Sequence, residues 1–572
     1  MINEFLKDIK VIYKEIENIS IEDIRSFRLK WNIEGSIGEA YEAIVKKHDR
    51  KSSGRFYTPY DVADYINSKM ISSIDLEKTN TKILDPSCGG GYFLIDMFKK
   101  LDNLLDGKID NHKKYIIDNM LYGYDIDKIA IYITVIELYY LSGYVSRNIK
   151  NKDYLSTSNR VKFNMIIGNP PYIGHKVLNK DYSRILKDKY PEVFYNKGDI
   201  SFCFIKKSLD ILDEDGRLGF FTSRYLIESL YGEGVRNYII NNSYINRIID
   251  FYGVRILKNV GVDNIIMLLS KKAYSNNIEY FRLKDLAKDM GAKVFSDIEI
   301  GMNILTTKME INPDDIKDKP WSFQGDTEKT IISKINNKCS LRIEEIGYTF
   351  QGIITGNDKA FIVEYNSKLS LEESVLKPWL KGKQVNRFFT DKPLKKIIYT
   401  DIIEDIDSYQ GVKEYLMPHK DKLESRRECI RGIRKWYNIQ WGRKSCDFEG
   451  IKIIFPYKAH NNRFSIDKGN YFSADIYGLK ITNNEYSYEF LTGLLNSSIY
   501  EFYIKTIAKK LGDRLYEYYP NKIIKLPIPP FIKEIEILYN GRKTDINSID
   551  RILIEFFNIS EEEFRFISKY LS

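Results

Sequence analysis

Asn169-Pro170-Pro171-Tyr172 follows the apolar run FNMIIG and is the segment best equipped for chemistry. Two successive prolines fix the backbone and remove two N–H donors. Carbonyl oxygens there can face outward beside the Asn169 side-chain oxygen. Two acceptors converging on one point suit a planar amino group that must donate two hydrogen bonds. Held so, its lone pair is released from the ring and aimed at an electrophile, while Tyr172 offers a flat face to an aromatic base. A plain Pro-Pro turn at a strand end has the same four residues, so the neighbouring motifs carry weight.

The second motif is Asp85-Pro86-Ser87-Cys88-Gly89-Gly90-Gly91-Tyr92-Phe93-Leu94, which follows the short apolar run TKIL and opens a helix. Glycines at a first strand–helix turn let the backbone approach a ligand closely. GxGxxG is absent, as is GxxxxGK[ST], and an acid at the turn fits an ammonium-bearing ligand better than a pyrophosphate. Cys88 does not follow a Pro-Cys catalytic pair and reads as packing. Asp125, in LYGYDID about forty residues on, can accept hydrogen bonds from ribose hydroxyls. Asp153, in KDYL, can take the amino group of an adenine ring. Lone acids at strand ends are more often caps or turn formers; the order and spacing of these raise them above that.

Elements must hold these residues in place. Apolar positions in FLKDIKVIYKEI and IGEAYEAIVKK recur at three- and four-residue spacing, predicting helices over 1–50. From about residue 80, TKILDPS, LYGYDID, FNMIIGNPPY and GRLGFFTS read as buried strands. They alternate with helix-like IAIYITVIELYYLSG and ISFCFIKKSLDIL. That alternation predicts a parallel, doubly wound α/β sheet with its ligands at the carboxyl ends of the strands. INPDDIKDKPWSF (311–323) is the linker candidate, and NSIDRILIEFFNISEEEFRFISKYL reads as a helical tail.

The chain has 572 residues, more than one core usually serves, with 43% hydrophobic and 29% charged residues. No apolar run approaches the ~18 residues of a membrane span. Glu4, Lys7, Asp8 and Lys10 break a signal-peptide reading. The five cysteines are scattered without CxxC spacing, so neither a disulfide framework nor a metal site is predicted. Net charge is +9, of which +7 lies in 331–572, consistent with a polyanion held there. The stretch from His419 to Lys444 interleaves basic residues with Trp436, Tyr437 and Trp441. Its cations, Arg426, Arg427, Arg431, Arg434, Lys435, Arg443 and Lys444, are candidates for contact with such a polyanion, against the alternative of a solvated helix face with two buried tryptophans. The resemblance described next implies that the polyanion is DNA.

Gly54-Arg55-Phe56-Tyr57-Thr58-Pro59, DPSCGGGYFL, YDID, KDYL and NPPY, in that order, resemble motifs X, I, II, III and IV of the γ-class DNA adenine-N6 methyltransferases. GIITGNDKAF, LKPWLKGKQVNRF and LPIP are similar to target-recognition domains of type IIG restriction–modification enzymes. The resemblance implies a Rossmann-like S-adenosylmethionine-dependent catalytic domain over 51–312, preceded by the helical segment 1–50. A mixed α+β target-recognition domain over 320–572 would follow. Tyr57, Thr58, Pro59, Asp85, Ser87 and Gly89 would border the methionine end of S-adenosylmethionine. Asp125 and Ile126 would hold its ribose side, Asp153 its adenine amino group, and Phe204 its ring. Asn169, Pro170, Pro171 and Tyr172 would receive a flipped adenine. The second stacking aromatic of such enzymes is replaced by Ile256, unless Phe251 or Tyr252 substitutes. Expected with this are double-stranded DNA as partner, a monomer with no obligatory protein partner, no metal, and a cytoplasmic, nucleoid-associated location. Only about fifty residues precede Gly54, too few for a nuclease domain of ordinary size, so a solitary methyltransferase is expected. RNA or protein-glutamine methylation, a bifunctional restriction enzyme and an inactive DNA-binding scaffold are the rival readings.

Overall fold

The computed structural model describes residues 2–45, 58–72, 81–158, 161–174, 177–254, 262–317, 321–367, 369–512 and 514–572. The chain forms two compact units, 1–323 and 324–572.

The first unit is built on a nine-stranded sheet: β1 (Ile83–Asp85), β2 (Leu121–Asp125), β3 (Ile149–Asn151), β4 (Phe163–Gly168), β5 (Leu212–Ser223), β6 (Tyr244–Asp250), β7 (Asn264–Ser270), β8 (Ile278–Leu283) and β9 (Thr306–Ile311). Their order is β3-β2-β1-β4-β5-β7-β6-β8-β9. The first five strands run parallel. The four expected apolar runs are β1, β2, β4 and β5, and FNMIIG is buried almost throughout, as a strand covered on both faces must be. β7 inserts antiparallel between β5 and β6. No helix lies between β6 and β7 among the described residues, and an antiparallel neighbour needs no crossover helix.

The sheet order reverses between β1 and β4, where the chain runs outward in both directions and leaves a crevice at the carboxyl ends. Helices α1 (Ile2–Lys14), α2 (Ile21–Lys30), α3 (Ile37–Val45), α4 (Tyr60–Ile71), α5 (Tyr92–Leu105), α6 (Lys128–Ser142), α7 (Lys180–Lys189) and α8 (Ile200–Ile211) position that crevice. The sequence of α6, KIAIYITVIELYYLS, has no polar face, and its packing explains why. Ile131, Val135 and Leu138 join the core against the sheet, while Ala130, Ile133 and Ile136 join a second core made with α1–α3. Each buried Ile or Leu contributes roughly 1.5–3 kcal/mol, so α6 fastens the N-terminal helices to the sheet. Buried Glu137, on α6, adds an ion pair to Arg28 and accepts from the Ile37 amide.

The linker candidate 311–323 is not a free tether. Its ends, Ile311 and Phe323, and Ile316 and Trp321 between them, are buried in the core of the first unit, where Phe323 stacks on Tyr280 at 4.3 Å. The division between units follows directly after it.

The second unit holds two four-stranded sheets. One orders the strands Gly347–Gln351, Ile476–Ile481, Ile451–Pro456 and Ser465–Lys468; the other orders Ile362–Glu364, Lys395–Ile398, Leu376–Leu380 and Tyr471–Phe472. The predicted helical tail is two helices, Ile546–Phe557 and Glu561–Leu571, broken at Asn558 (φ +56°) and restarted by a capping box of Ser560 with Glu563. Leu553, Phe557 and Ile567 return to the core of that unit. Among the described residues no helix is long and apolar enough to cross a membrane.

Candidate active site

The Asp85 and Asn169 turns leave the carboxyl ends of the adjacent parallel strands β1 and β4, one on each side of the reversal point. They touch: the Ser87 hydroxyl donates to the Asn169 carbonyl oxygen at 3.3 Å. Gly168 (φ +146°) lies so near the acid that a Cβ there would meet Asp85 Oδ1 at 2.7 Å. A backbone in that conformation, that close to a carboxylate, accepts only glycine.

Asp85 is buried and, among the described residues, accepts from one donor, the Ser87 amide at 3.0 Å. Burial pushes its carboxyl up to about 8, with the nearby charge of Asp125 adding to the effect. Gly89 (φ +49°) has open space where a Cβ would project. Its amide donates to Asp125 Oδ2 at 2.9 Å and its carbonyl accepts from Thr134 Oγ1 at 2.9 Å. Asp125 Oδ1 accepts from the Asp127 amide at 2.7 Å, and the neighbouring Ile126 side chain is 71% exposed beside it. Gly90 rests on Gly38 of α3 with no room for a side chain on either: a Cβ on each would lie 2.9 Å from the other's backbone. Cys88 is buried, and burial pushes its thiol well up, as a packing residue requires.

Asn169 is gripped at both ends of its amide. Its Nδ2 donates to Thr58 Oγ1 at 2.9 Å, and its Oδ1 accepts from the Tyr172 hydroxyl. Thr58, expected beside the cofactor, therefore aligns the Asn169 amide. The Tyr172 hydroxyl is also 3.1 Å from the Phe221 carbonyl, and its ring is buried in the sheet core, which raises its phenol pKa. Pro59 precedes α4, and Pro170 is buried. Tyr57 and Ile256 lie outside the described residues. Phe251 is not a surface platform: it is buried edge-on against Phe221 at 5.8 Å. Tyr252 (φ +42°) is held beside the guanidinium groups of Arg224 and Arg282, at 5.3 and 4.7 Å.

Asp153 caps its own loop through the Leu155 amide at 3.0 Å and the Ser156 hydroxyl, and it accepts from Tyr182 of α7 at 3.0 Å. Phe204, on α8, tilts against Tyr154 at 5.4 Å. Sequence reasoning missed Tyr182, Thr134 and the positioning role of Thr58. Each reaches its partner across at least 29 residues of chain, and no local pattern records that.

The seven basic residues nominated for DNA contact fall into two groups. The Arg426 guanidinium donates to the carbonyls of Leu423, Trp436 and Asn438, at 2.8 Å each, and of Thr355 at 3.4 Å. Arg434 pairs with Asp401 at 2.9 Å, Lys435 donates to the Glu404 carbonyl, and Arg443 donates to Gln351 and Gly352. These four are tied into the second unit. Arg427, Arg431 and Lys444 are exposed and make no side-chain hydrogen bond among the described residues. Trp436 is half-buried and Trp441 exposed, so the two tryptophans are not both core.

Residues 119–256 match the Eco57I restriction-modification methylase family, and residues 377–528 match the TaqI-like C-terminal specificity domain. The chain is 23% identical to the type II methyltransferase M.BstVI of Geobacillus stearothermophilus, over 92% of this chain and 100% of that one. It is 27% identical to the type II methyltransferase M.BanIII of Aneurinibacillus aneurinilyticus, over 73% of this chain and 78% of that one. A solved structure of the type IIL restriction-modification enzyme MmeI in complex with DNA shares the fold, with a TM-score of 0.59 and 13% identity over 90% of this chain and 75% of that one. The match to a methylase family thus lies ahead of the match to a specificity domain along this chain. S-adenosylmethionine fits the residues present: a buried acid whose carboxyl pKa is raised by burial, a glycine with open space at its Cβ position, and an exposed Ile126 beside Asp125.

Proposed function

We propose that the protein is a site-specific DNA methyltransferase acting on N6 of an adenine flipped out of double-stranded DNA. The adjacency of the Asp85 and Asn169 turns supports this reading best, because an acid suited to a sulfonium lies beside acceptors suited to an amino group. S-adenosylmethionine, when bound, supplies an electrophilic methyl group. Asp85, Ser87, Gly89, Asp125, Ile126 and Asp153, with Phe204 behind them, would hold it.

The chain's own work is alignment. Thr58 sets the Asn169 amide so that Oδ1 is its accepting end. Asn169 Oδ1 and the Pro170 carbonyl take the two amino protons, turning the nitrogen lone pair toward the electrophile. Tyr172 must release Asn169 Oδ1 to admit that amino group, and its ring then supports the base. The enzyme acts as a monomer in the cytoplasm, at the nucleoid, and these 572 residues carry no nuclease. One catalytic turn and one specificity region per chain imply an asymmetric target methylated on one strand.

The test is transfer of tritiated methyl from S-adenosylmethionine to DNA, RNA and protein in parallel, with base analysis of the product. N6-methyladenine in DNA is expected; label in RNA or protein alone refutes the reading. Asn169→Ala should abolish transfer while calorimetric titration still detects the cofactor. Specific double-strand breaks with Mg²⁺ would restore a restriction enzyme, and a palindromic site methylated on both strands would refute a lone monomer.

A further inference from the structure

The turn that joins the strands Ile451–Pro456 and Ser465–Lys468 reads Tyr457-Lys458-Ala459-His460-Asn461-Asn462-Arg463-Phe464. Its inner side is fixed to an unusual degree for a surface turn. Asn462 is fully buried: its backbone amide donates to Glu501 at 3.3 Å, its side-chain amide to the Leu495 carbonyl at 2.5 Å, and its Oδ1 accepts from Tyr518 at 2.8 Å. The Asn462 carbonyl accepts from Arg387 Nε at 3.1 Å, and Arg387 is itself paired with Glu501. Asn496 grips Phe464 from both sides, accepting from its amide at 3.0 Å and donating to its carbonyl at 2.7 Å. At the outer edge Lys458 and Ala459 pair with Tyr516 and Glu517.

The outward side has the opposite character. His460 and Asn461 are exposed, and neither side chain makes a hydrogen bond among the described residues. Arg463 is half-buried and, among the described residues, has no carboxylate partner and one side-chain hydrogen bond, to the Lys458 carbonyl at 3.3 Å. Partial burial lowers the pKa of that guanidinium, as expected for a desolvated cation awaiting an anion. Buried polar networks are costly unless every member is satisfied. This one has no catalytic partner nearby in the sequence; what it achieves is to hold a short polar tip rigidly, ready to bind without an ordering cost.

We infer that the turn Lys458–Arg463 is a DNA-reading element, in which Asn461 recognises one base edge and Arg463 holds an adjacent phosphate. This rests on the proposed DNA methylation and locates specificity outside the His419–Lys444 stretch. An exposed Asn amide, with one donor and one acceptor side by side, pairs bidentately with the N6 and N7 edge of adenine in the major groove. A guanidinium beside it fits a phosphate oxygen pair.

The full-length protein, with Asn461→Ala and Arg463→Gln variants, is assayed on a randomised duplex library by single-molecule sequencing, and its DNA binding is followed across salt concentrations. Asn461→Ala should lose discrimination at one target position by about ten- to hundredfold, keeping its melting temperature and cofactor affinity. Arg463→Gln should bind every duplex more weakly, with the salt slope smaller by about one unit. Unchanged site preference in the first variant, together with unchanged affinity and slope in the second, overturns the inference while wild-type methylation stands. Wild-type protein that methylates no DNA overturns the function and the inference together.

Discussion

Asp85 is the residue whose surroundings say most about what it awaits. Burial holds its carboxyl up to about 8, so at neutral pH the unliganded site is mostly protonated. A folded-state pKa above the unfolded value means that the folded protein binds the extra proton. Stability without cofactor therefore falls as pH rises from about 4 to about 8. A sulfonium favours the ionised form, so cofactor affinity should rise with pH, by about tenfold per unit below 8. Calorimetric titrations between pH 6 and 8.5 check this; a flat profile in wild type, or an unaltered slope in Asp85→Asn, would refute it. Tyr172→Phe should transfer methyl at a rate within a few-fold of wild type, because the ring remains and Asn169 Oδ1 is freed. Tyr172→Ala should lose most activity in single-turnover assays. The NPPY and glycine-turn segments stand out in the sequence because each motif is contiguous, and the structure brings the two turns into contact. The motif resemblance places Thr58 beside the cofactor, while its hydrogen bond to Asn169, 111 residues away, has no signal in the local sequence.

At the scale of elements, the parallel strands could be read from sequence because strands buried on both faces are continuous apolar runs. β8 and β9 are harder to read: IEYFRL and TTKMEI mix buried and partly or fully exposed positions without strict alternation, toward the far edge of the sheet, where partial exposure dilutes the pattern. The 419–444 stretch is heterogeneous in a way that its sequence does not reveal. Its arginines look alike in sequence, yet Arg426 and Arg434 are staples, with backbone carbonyls and Asp401 as their partners. Arg426→Ala should leave buried acceptors unsatisfied and cost about 1–3 kcal/mol, lowering the melting temperature. Arg427→Ala, Arg431→Ala and Lys444→Ala should leave that temperature unchanged and reduce DNA affinity for all sequences, each flattening the salt dependence by about one unit. Thermal melts and binding curves at several salt concentrations distinguish the two groups; equal destabilisation by all four variants would refute the division.

The whole molecule divides after Phe323, and the proposed cofactor residues all lie before that point. Charge-removing changes at Arg427, Arg431, Lys444 or Arg463 should therefore leave S-adenosylmethionine affinity within twofold of wild type by calorimetry. A variant with normal DNA binding and lost cofactor would contradict that separation. The order of the two units was readable from the motifs, whereas the burial of Trp321 and Phe323 was not, since prolines and aspartates disguise a packed strap as a tether. The contact of Gly38 with Gly90 has its own consequence for how such a sequence can change. A single methyl group at either position acts as a wedge between an N-terminal helix and the glycine turn. A side chain at either position requires the helix to move away from the turn, so substitutions at Gly38 and Gly90 are coupled across more than fifty residues of chain.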